Sequence, residues 1–263
     1  MGTPRSNSPN AWVVERVVET GSTNTDLLAR ASDGAPHGSV LVADHQTAGR
    51  GRLDRVWTAP PGANLLVSLL FRGGFDPGRP HELTQRVGVA AIEAIERLSL
   101  VRPVLKWPND VLVDEVKVAG ILAQAAQAAN GVTGAAGAAQ AASGVTGAAG
   151  AAGAGAGVMH VVVGIGVNLG WAPDGAARVD GVDRDALLDA LLDRIDARWS
   201  ESIASPYRDR LATLGQRVRV ERPNDILLGT AVDVEAGGEL LVRDDDGVEH
   251  AIAAGDVVHL RPA

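Results

Sequence analysis

Between the apolar segment at Ile121 and the one at Val161 lies a tract, from about residue 125 to about residue 157, of almost nothing but Ala and Gly. Within it the nonapeptide Gly131–Ala139 recurs as Gly144–Ala152. Side chains this small bury too little area to offset the entropy of ordering their backbone, and the glycines break the helix that alanine alone would favour. The tract therefore reads as a flexible, expanded loop without chemistry. It lengthens a hairpin at modest free-energy cost, and the fold must come from the segments on either side.

Those segments carry mixed signals. Strands are expected at Trp12–Glu19, Ser39–Ala43, Val104–Lys106, Val111–Val113, Val118–Ala123 and Val161–Val167, and Asn64–Phe71 is a continuous apolar run suited to a central strand. Helices are expected at Thr25–Ala31, with small polar caps in Gly21–Asn24, at Glu82–Leu98, and at Arg184–Trp199 with Asp183 as its cap. Strands and helices mix without regular alternation, so the expected class is α+β, a mixed sheet with helices on one side. From Leu214 the pattern changes to short alternating strands between Gly and Asp turns, roughly 50 residues that read as a small β-barrel. The expected organisation is a loose tail at 1–11, a first domain at 12–213 holding the Ala/Gly insertion, and a barrel at 214–263.

The net charge of -8 opposes general binding to nucleic acid or to an anionic membrane, both of which need dispersed positive charge. The chain has no cysteine, which removes disulfides, thiolate metal sites and a thiol nucleophile and suits a cytoplasmic location. No long apolar run or signal-like segment is present, and a soluble protein is expected.

Against that acidic balance, Thr47–Trp57 places Arg50, Arg52 and Arg55 in six positions among Gly49 and Gly51. Glycines allow backbone N–H groups to approach an anion, and guanidinium forks match carboxylate and phosphate. A second cluster is Lys106-Trp-Pro-Asn-Asp110, where Pro108 fixes a turn that displays Asn109 and Asp110. Lys117 precedes an apolar strand, a costly place for a cation unless it meets an anion. Asn168 ends the strand Val161–Val167. Gly164-Ile-Gly-Val-Asn168 lacks the third glycine and following helix of a dinucleotide fingerprint, and phosphate-loop, nucleophile-elbow, metalloprotease and kinase motifs are absent. Taken singly, each cluster is ordinary surface charge; together they suit two anions. Acyl adenylation, in which a carboxylate oxygen attacks an α-phosphorus, makes that electrostatic demand.

Gly21-Ser-Thr-Asn24, Gln46-Thr-Ala-Gly-Arg-Gly-Arg52, Lys106-Trp-Pro-Asn-Asp110, Lys117-Val-Ala-Gly-Ile-Leu122 and Gly164-Ile-Gly-Val-Asn168, in this order, resemble the motifs of the biotin–protein ligases. The match runs from about Trp12 to the C-terminus, broken only by the Ala/Gly tract. The resemblance implies a class II synthetase-like catalytic domain followed by an SH3-like barrel. It also implies ATP and biotin as substrates with Mg2+, biotinyl-5′-AMP as intermediate, and the carrier domain of a biotin-dependent carboxylase as partner. By the same resemblance Ser22, Thr23, Asn24, Gln46, Gly49, Arg50, Gly51, Arg52 and Lys117 hold biotin, and Arg52, Arg55, Trp57, Lys106, Asn109, Asp110 and Asn168 meet ATP or the adenylate. Lys117 and Arg52 are then the catalytic cations, and Asp110 is a candidate acceptor for the proton of the incoming amine. Only about 11 residues precede the first strand, so the type without an N-terminal DNA-binding domain is expected, as monomer or homodimer.

Two other readings are a lipoyl or octanoyl ligase of the same fold and a non-catalytic biotin-binding regulatory protein. A loop as poor in apolar residues as Thr47–Trp57 is expected to be mobile when empty and ordered by ligand. Limited proteolysis checks this: biotin plus ATP should suppress cleavage around Arg50–Arg55, and unchanged cleavage would refute loop closure.

Overall fold

A computed structural model describes residues 9–53, 55–127, 145–146, 159–221, 225–253 and 255–260. The elements of the first part are β1 (Val13–Thr20), α1 (Thr23–Ser32), β2 (Ser39–Gln46), β3 (Leu65–Arg72), α2 (His81–Leu98), β4 (Val104–Lys106), β5 (Asp110–Val113), β6 (Val116–Gln127), β7 (Val145–Thr146), β8 (Met159–Val167), α3 (Arg184–Ala197) and α4 (Ala204–Asp209). Their strands form one mixed sheet in the order β1-β2-β3-β8-β6-β5-β4, with β7 beside β6. β1 runs parallel to β2, β7 runs parallel to β6, and the other pairs are antiparallel.

The apolar run in β3 is central because both of its faces are covered. Leu65, Val67, Leu69 and Phe71 point into the main core with Val87, Ala91 and Ile95 of α2 and Leu187, Leu188 and Leu191 of α3. On the reverse face Leu70 packs with Leu27 and Ala31 of α1, Leu41 of β2 and Val162 of β8. The two long helices thus share one side as expected, while α1 corrects the one-sided picture. Its apolar residues are few, and this smaller cluster gave only a weak periodic signal.

α1 begins two residues earlier than its expected start, so Thr23 and Asn24 lie in its first turn, buried against the sheet. Asp183 caps α3 by accepting from the backbone N–H groups of Asp185 and Ala186. β6 continues to Gln127 and β8 starts at Met159, the two paired in register, so the hairpin strands reach into the ends of the Ala/Gly tract. Val145–Thr146 lies beside Ala123 and Gln124 of β6, and the expected flexibility of the rest of the tract falls outside the described residues. Residues 1–8 of the expected tail also lie outside them. Asn10 belongs to the fold: it is fully buried, and it and the Trp12 indole both donate to Asp196 Oδ1, at 2.5 and 3.0 Å.

The second part comprises β9 (Arg217–Glu221), β10 (Ile226–Val234), β11 (Leu240–Arg243), β12 (Glu249–Ile252) and β13 (Asp256–His259). They make an antiparallel sheet in the order β12-β11-β10-β9-β13. This is the expected small β-domain, and among the described residues no ladder joins β12 to β13. It is fastened to the first part through Trp107, whose Nε1 donates to the Gly238 carbonyl at 3.0 Å and whose backbone N–H donates to Thr213 Oγ1 at 2.9 Å. α4 and β12 were not expected, being too short to show a period.

Asp183→Ala should leave two N–H groups of the first turn of α3 without acceptors and cost about 1 kcal/mol of stability, read as a lower urea midpoint with unchanged slope.

Candidate active site

Alternation along the strands sets the floor of the site. On the face that carries α1, the ten-residue helix covers the end of the sheet at Leu41, Leu70 and Val162. The other end of that face is open above Leu66, Gly120, Leu122, Gly164 and Gly166, where it forms a cavity of about 470 Å³. The first turn of α1 closes one side. The loop after β2 and the β4–β5 hairpin form the roof, and Val257 and Val258 of β13 complete the wall.

Every candidate residue lines this cavity except Gly49: Ser22, Thr23, Asn24, Gln46, Arg50, Gly51, Arg52, Arg55, Trp57, Lys106, Asn109, Asp110, Lys117 and Asn168 are all on its wall. Gly49 sits at the base of the loop. The Trp57 N–H donates to its carbonyl at 2.9 Å, and a Cβ there would collide with the Trp57 carbonyl. Its glycine is needed to close the loop.

The loop is itself a small hairpin, with Arg50 bridged to Val56 and the Gly51 N–H donating to the Arg55 carbonyl at 2.6 Å. The expected nest of N–H groups aimed at an anion is thus partly spent inside the loop, and the cations supply the charge. Arg52 Nη1 reaches Asn109 Oδ1 at 3.4 Å, tying the loop to the hairpin, and Asn109 Nδ2 donates to the Ile121 carbonyl at 2.7 Å.

Among the described residues, five cationic side chains (Arg50, Arg52, Arg55, Lys106 and Lys117) share the cavity wall with one carboxylate, Asp110. Lys117 Nζ lies 2.6 Å from Asp110 Oδ1 and 5.5 Å from the centroid of the Trp57 ring. Burial lowers the pKa of Arg52; Asp110 opposes that shift and Arg55 adds to it. Burial likewise lowers the pKa of Lys106, opposed by Asp110 and reinforced by Lys117 and Arg55. Desolvated cations repelling one another make a strong local field for anions, far from the average charge of the chain.

The glycines of the Lys117 and Gly164 motifs face this cavity. Gly120 and Gly166 stand opposite each other on β6 and β8, and the Trp57 indole lies across them. A Cβ at Gly166 would come within 2.5 Å of Trp57 Cε2, and one at Gly120 within 3.1 Å of Trp57 Cζ3. At the polar end, Thr23 donates from its backbone N–H to Gln46 Oε1 at 2.7 Å. The Asn168 amide is turned into the protein: Oδ1 accepts from Asn64 at 3.2 Å and Nδ2 donates to the Ala177 carbonyl at 3.0 Å. It holds the segment after β8 against the site. Asn64, Ser68 and the two β13 valines escaped the sequence analysis. A serine and an asparagine inside a buried apolar run were available signals, because buried polar groups need partners; nothing local marked the valines.

Among the described residues no three His, Asp, Glu or Cys side chains cluster as metal ligands.

The model of the biotin/lipoate A/B protein ligase family matches residues 16–139, and that of the biotin protein ligase C terminal domain matches residues 213–260. The chain is 38% identical to the biotin–[acetyl-CoA-carboxylase] ligase of Mycobacterium tuberculosis, over 93% of this chain and 88% of that one. With its Paracoccus denitrificans counterpart it shares 30% identity, covering 92% and 98%. The fold is similar to that of the Aquifex aeolicus biotin protein ligase solved with biotin and ATP, with a TM-score of 0.69, 23% identity, and 94% and 99% of the two chains covered. The chain belongs to the biotin protein ligase family.

Gly166→Ala should displace the Trp57 indole from its floor while leaving the backbone folded. The expected result is an unchanged far-ultraviolet circular dichroism spectrum with altered tryptophan emission, the alteration being absent in a Trp57→Phe background.

Proposed function

We propose that the chain joins biotin to ATP as biotinyl-5′-AMP and then transfers the biotinyl group to a lysine of a carboxylase's biotin carboxyl carrier domain. The observation that carries this reading is the gathering of five cations, Lys117 among them, on one cavity wall with Asp110, beside the polar end built by Ser22, Thr23, Asn24 and Gln46. Family membership and the M. tuberculosis relative favour biotin over lipoate.

In the first step a biotin carboxylate oxygen attacks the α-phosphorus, the bond from that phosphorus to the pyrophosphate oxygen breaks, and pyrophosphate leaves. Lys117 and Arg52 are assigned the charge developing on the carboxylate and α-phosphate, with Lys106 and Arg55 toward the leaving group. Mg2+, when bound with ATP, would supply further charge neutralisation on the phosphates. Trp57 is assigned a stacking surface for the adenylate. In the second step the lysine amine attacks the acyl carbon, the acyl–phosphate bond breaks, and AMP leaves. The mixed anhydride is already activated, so alignment of the neutral amine is the main requirement. Asp110 then accepts the amine proton, which requires Lys117 to turn from it to the phosphate.

Biotin-dependent exchange of labelled pyrophosphate into ATP tests the first step, and its absence from well-folded protein would refute the reading; labelling of a carrier domain from lipoate alone would replace biotin as substrate. Lys117→Ala should slow exchange at least about 100-fold. Asp110→Asn should slow transfer from preformed adenylate, and a normal rate would remove its proton-accepting role.

A further inference from the structure

Ser68 is fully buried in the middle of β3 and does not line the cavity. Its Oγ nevertheless lies 2.5 Å from Asn24 Oδ1 and 2.7 Å from Thr23 Oγ1, both residues of the cavity wall. Strand register explains the meeting. Ser68 stands opposite Gly164, and Gly164 stands opposite Leu122, giving a row across β3, β8 and β6. The Asn24 carboxamide lies over that row. Its Nδ2 donates to the Leu122 carbonyl and to Gln124 Oε1, both at 3.0 Å, and its Oδ1 occupies the space that a Cβ on Gly164 would need.

Counting protons orders this network. Asn24 Oδ1 has no hydrogen to give, so the single Ser68 proton goes to it. Thr23 then gives its own hydroxyl proton to Ser68 Oγ or to Gln46 Oε1, the latter at 3.0 Å. Both Nδ2 hydrogens of Asn24 face acceptors, so the amide cannot turn over without breaking three hydrogen bonds. Its Oδ1 accepts from Ser68 and lies against Gly164, so the amide is held from both sides.

We propose that Ser68 is a positioning residue for the acyl substrate: it fixes the Asn24 amide and the Thr23 hydroxyl, and thereby the donor and acceptor pattern that the polar end of the cavity offers to a planar head group such as a cyclic urea. Gln124 secures the same amide from the opposite side. The assignment rests on the biotin-ligase reading above. Without the Ser68 hydroxyl, Asn24 Oδ1 loses its fixed donor and the amide is held through Nδ2 alone, so Asn24 and Thr23 are less firmly set on the cavity wall.

Pyrophosphate exchange measured separately against biotin and ATP tests it. Ser68→Ala should raise KM for biotin about tenfold, the equivalent of one lost hydrogen bond, with KM for ATP within about twofold and kcat within about threefold. Ser68→Thr, which keeps the hydroxyl, should restore the biotin KM. Gln124→Ala, on the far side of the amide, should raise it in the same selective way and serves if Ser68→Ala does not fold. An unchanged biotin KM in folded variants, or parallel rises for biotin and ATP, would overturn the assignment. If the wild-type chain shows no biotin-dependent exchange, the functional reading fails instead. The Ser68 assignment is then read from the 15N-labelled side-chain amide of Asn24, which should be protected from hydrogen exchange in the wild type and lose protection in Ser68→Ala; equal protection in both would overturn it.

Discussion

The site exists because α1 is too short to cover the sheet face on which it lies. Leu27 and Ala31 seal the end at Leu41, Leu70 and Val162, and the first turn stops above Ser68 and Gly164. Beyond that point the strands carry glycine where side chains would otherwise fill the space. Gly120, Gly164 and Gly166 give a flat floor on which Trp57 and Asn24 rest, and the closest approaches leave no room for a methyl group at Gly164 or Gly166. The opposite face, packed by α2 and α3, supplies the rigidity that lets this one remain open.

The second constraint is charge. A cavity wall that gathers five cations is unfavourable to assemble, because desolvation and mutual repulsion both act against Arg52 and Lys106. Asp110 relieves part of this by pairing with Lys117. Stability gained from core packing elsewhere offsets this electrostatic cost on folding. The β13 valines and the Trp107–Gly238 hydrogen bond make the C-terminal sheet part of the same wall, so its position bears directly on the hairpin that carries Lys106 and Asp110.

Much of the site was legible because its chemistry is concentrated in short motifs. Arginines among glycines in an acidic chain, a lysine ahead of an apolar strand, and a proline-fixed turn each break local expectation, and such breaks mark functional positions. Asn168 was found for its place at a strand end, yet its amide proved to be turned inward toward Asn64 and Ala177. Gly49 was grouped with the ligand contacts, and the structure places it at the base of the loop, against the Trp57 backbone. In both cases the residue was visible, but its direction was not, since orientation depends on partners distant in the chain.

The sequence by itself determined the α+β class, nearly all the strands and both long helices, the change of character near Leu214, and the identity of the charged groups, because periodicity and residue chemistry are local. Tertiary structure alone decided that α1 lies on the face opposite α2 and α3, that the C-terminal strands pair in the order β12-β11-β10-β9-β13, and that Ser68, Gly164 and Leu122 form one row beneath Asn24. Those facts follow from strand register and order across segments separated by up to about 100 residues. Pairing over such distances is fixed by how whole faces bury one another, and no single stretch of chain contains that information.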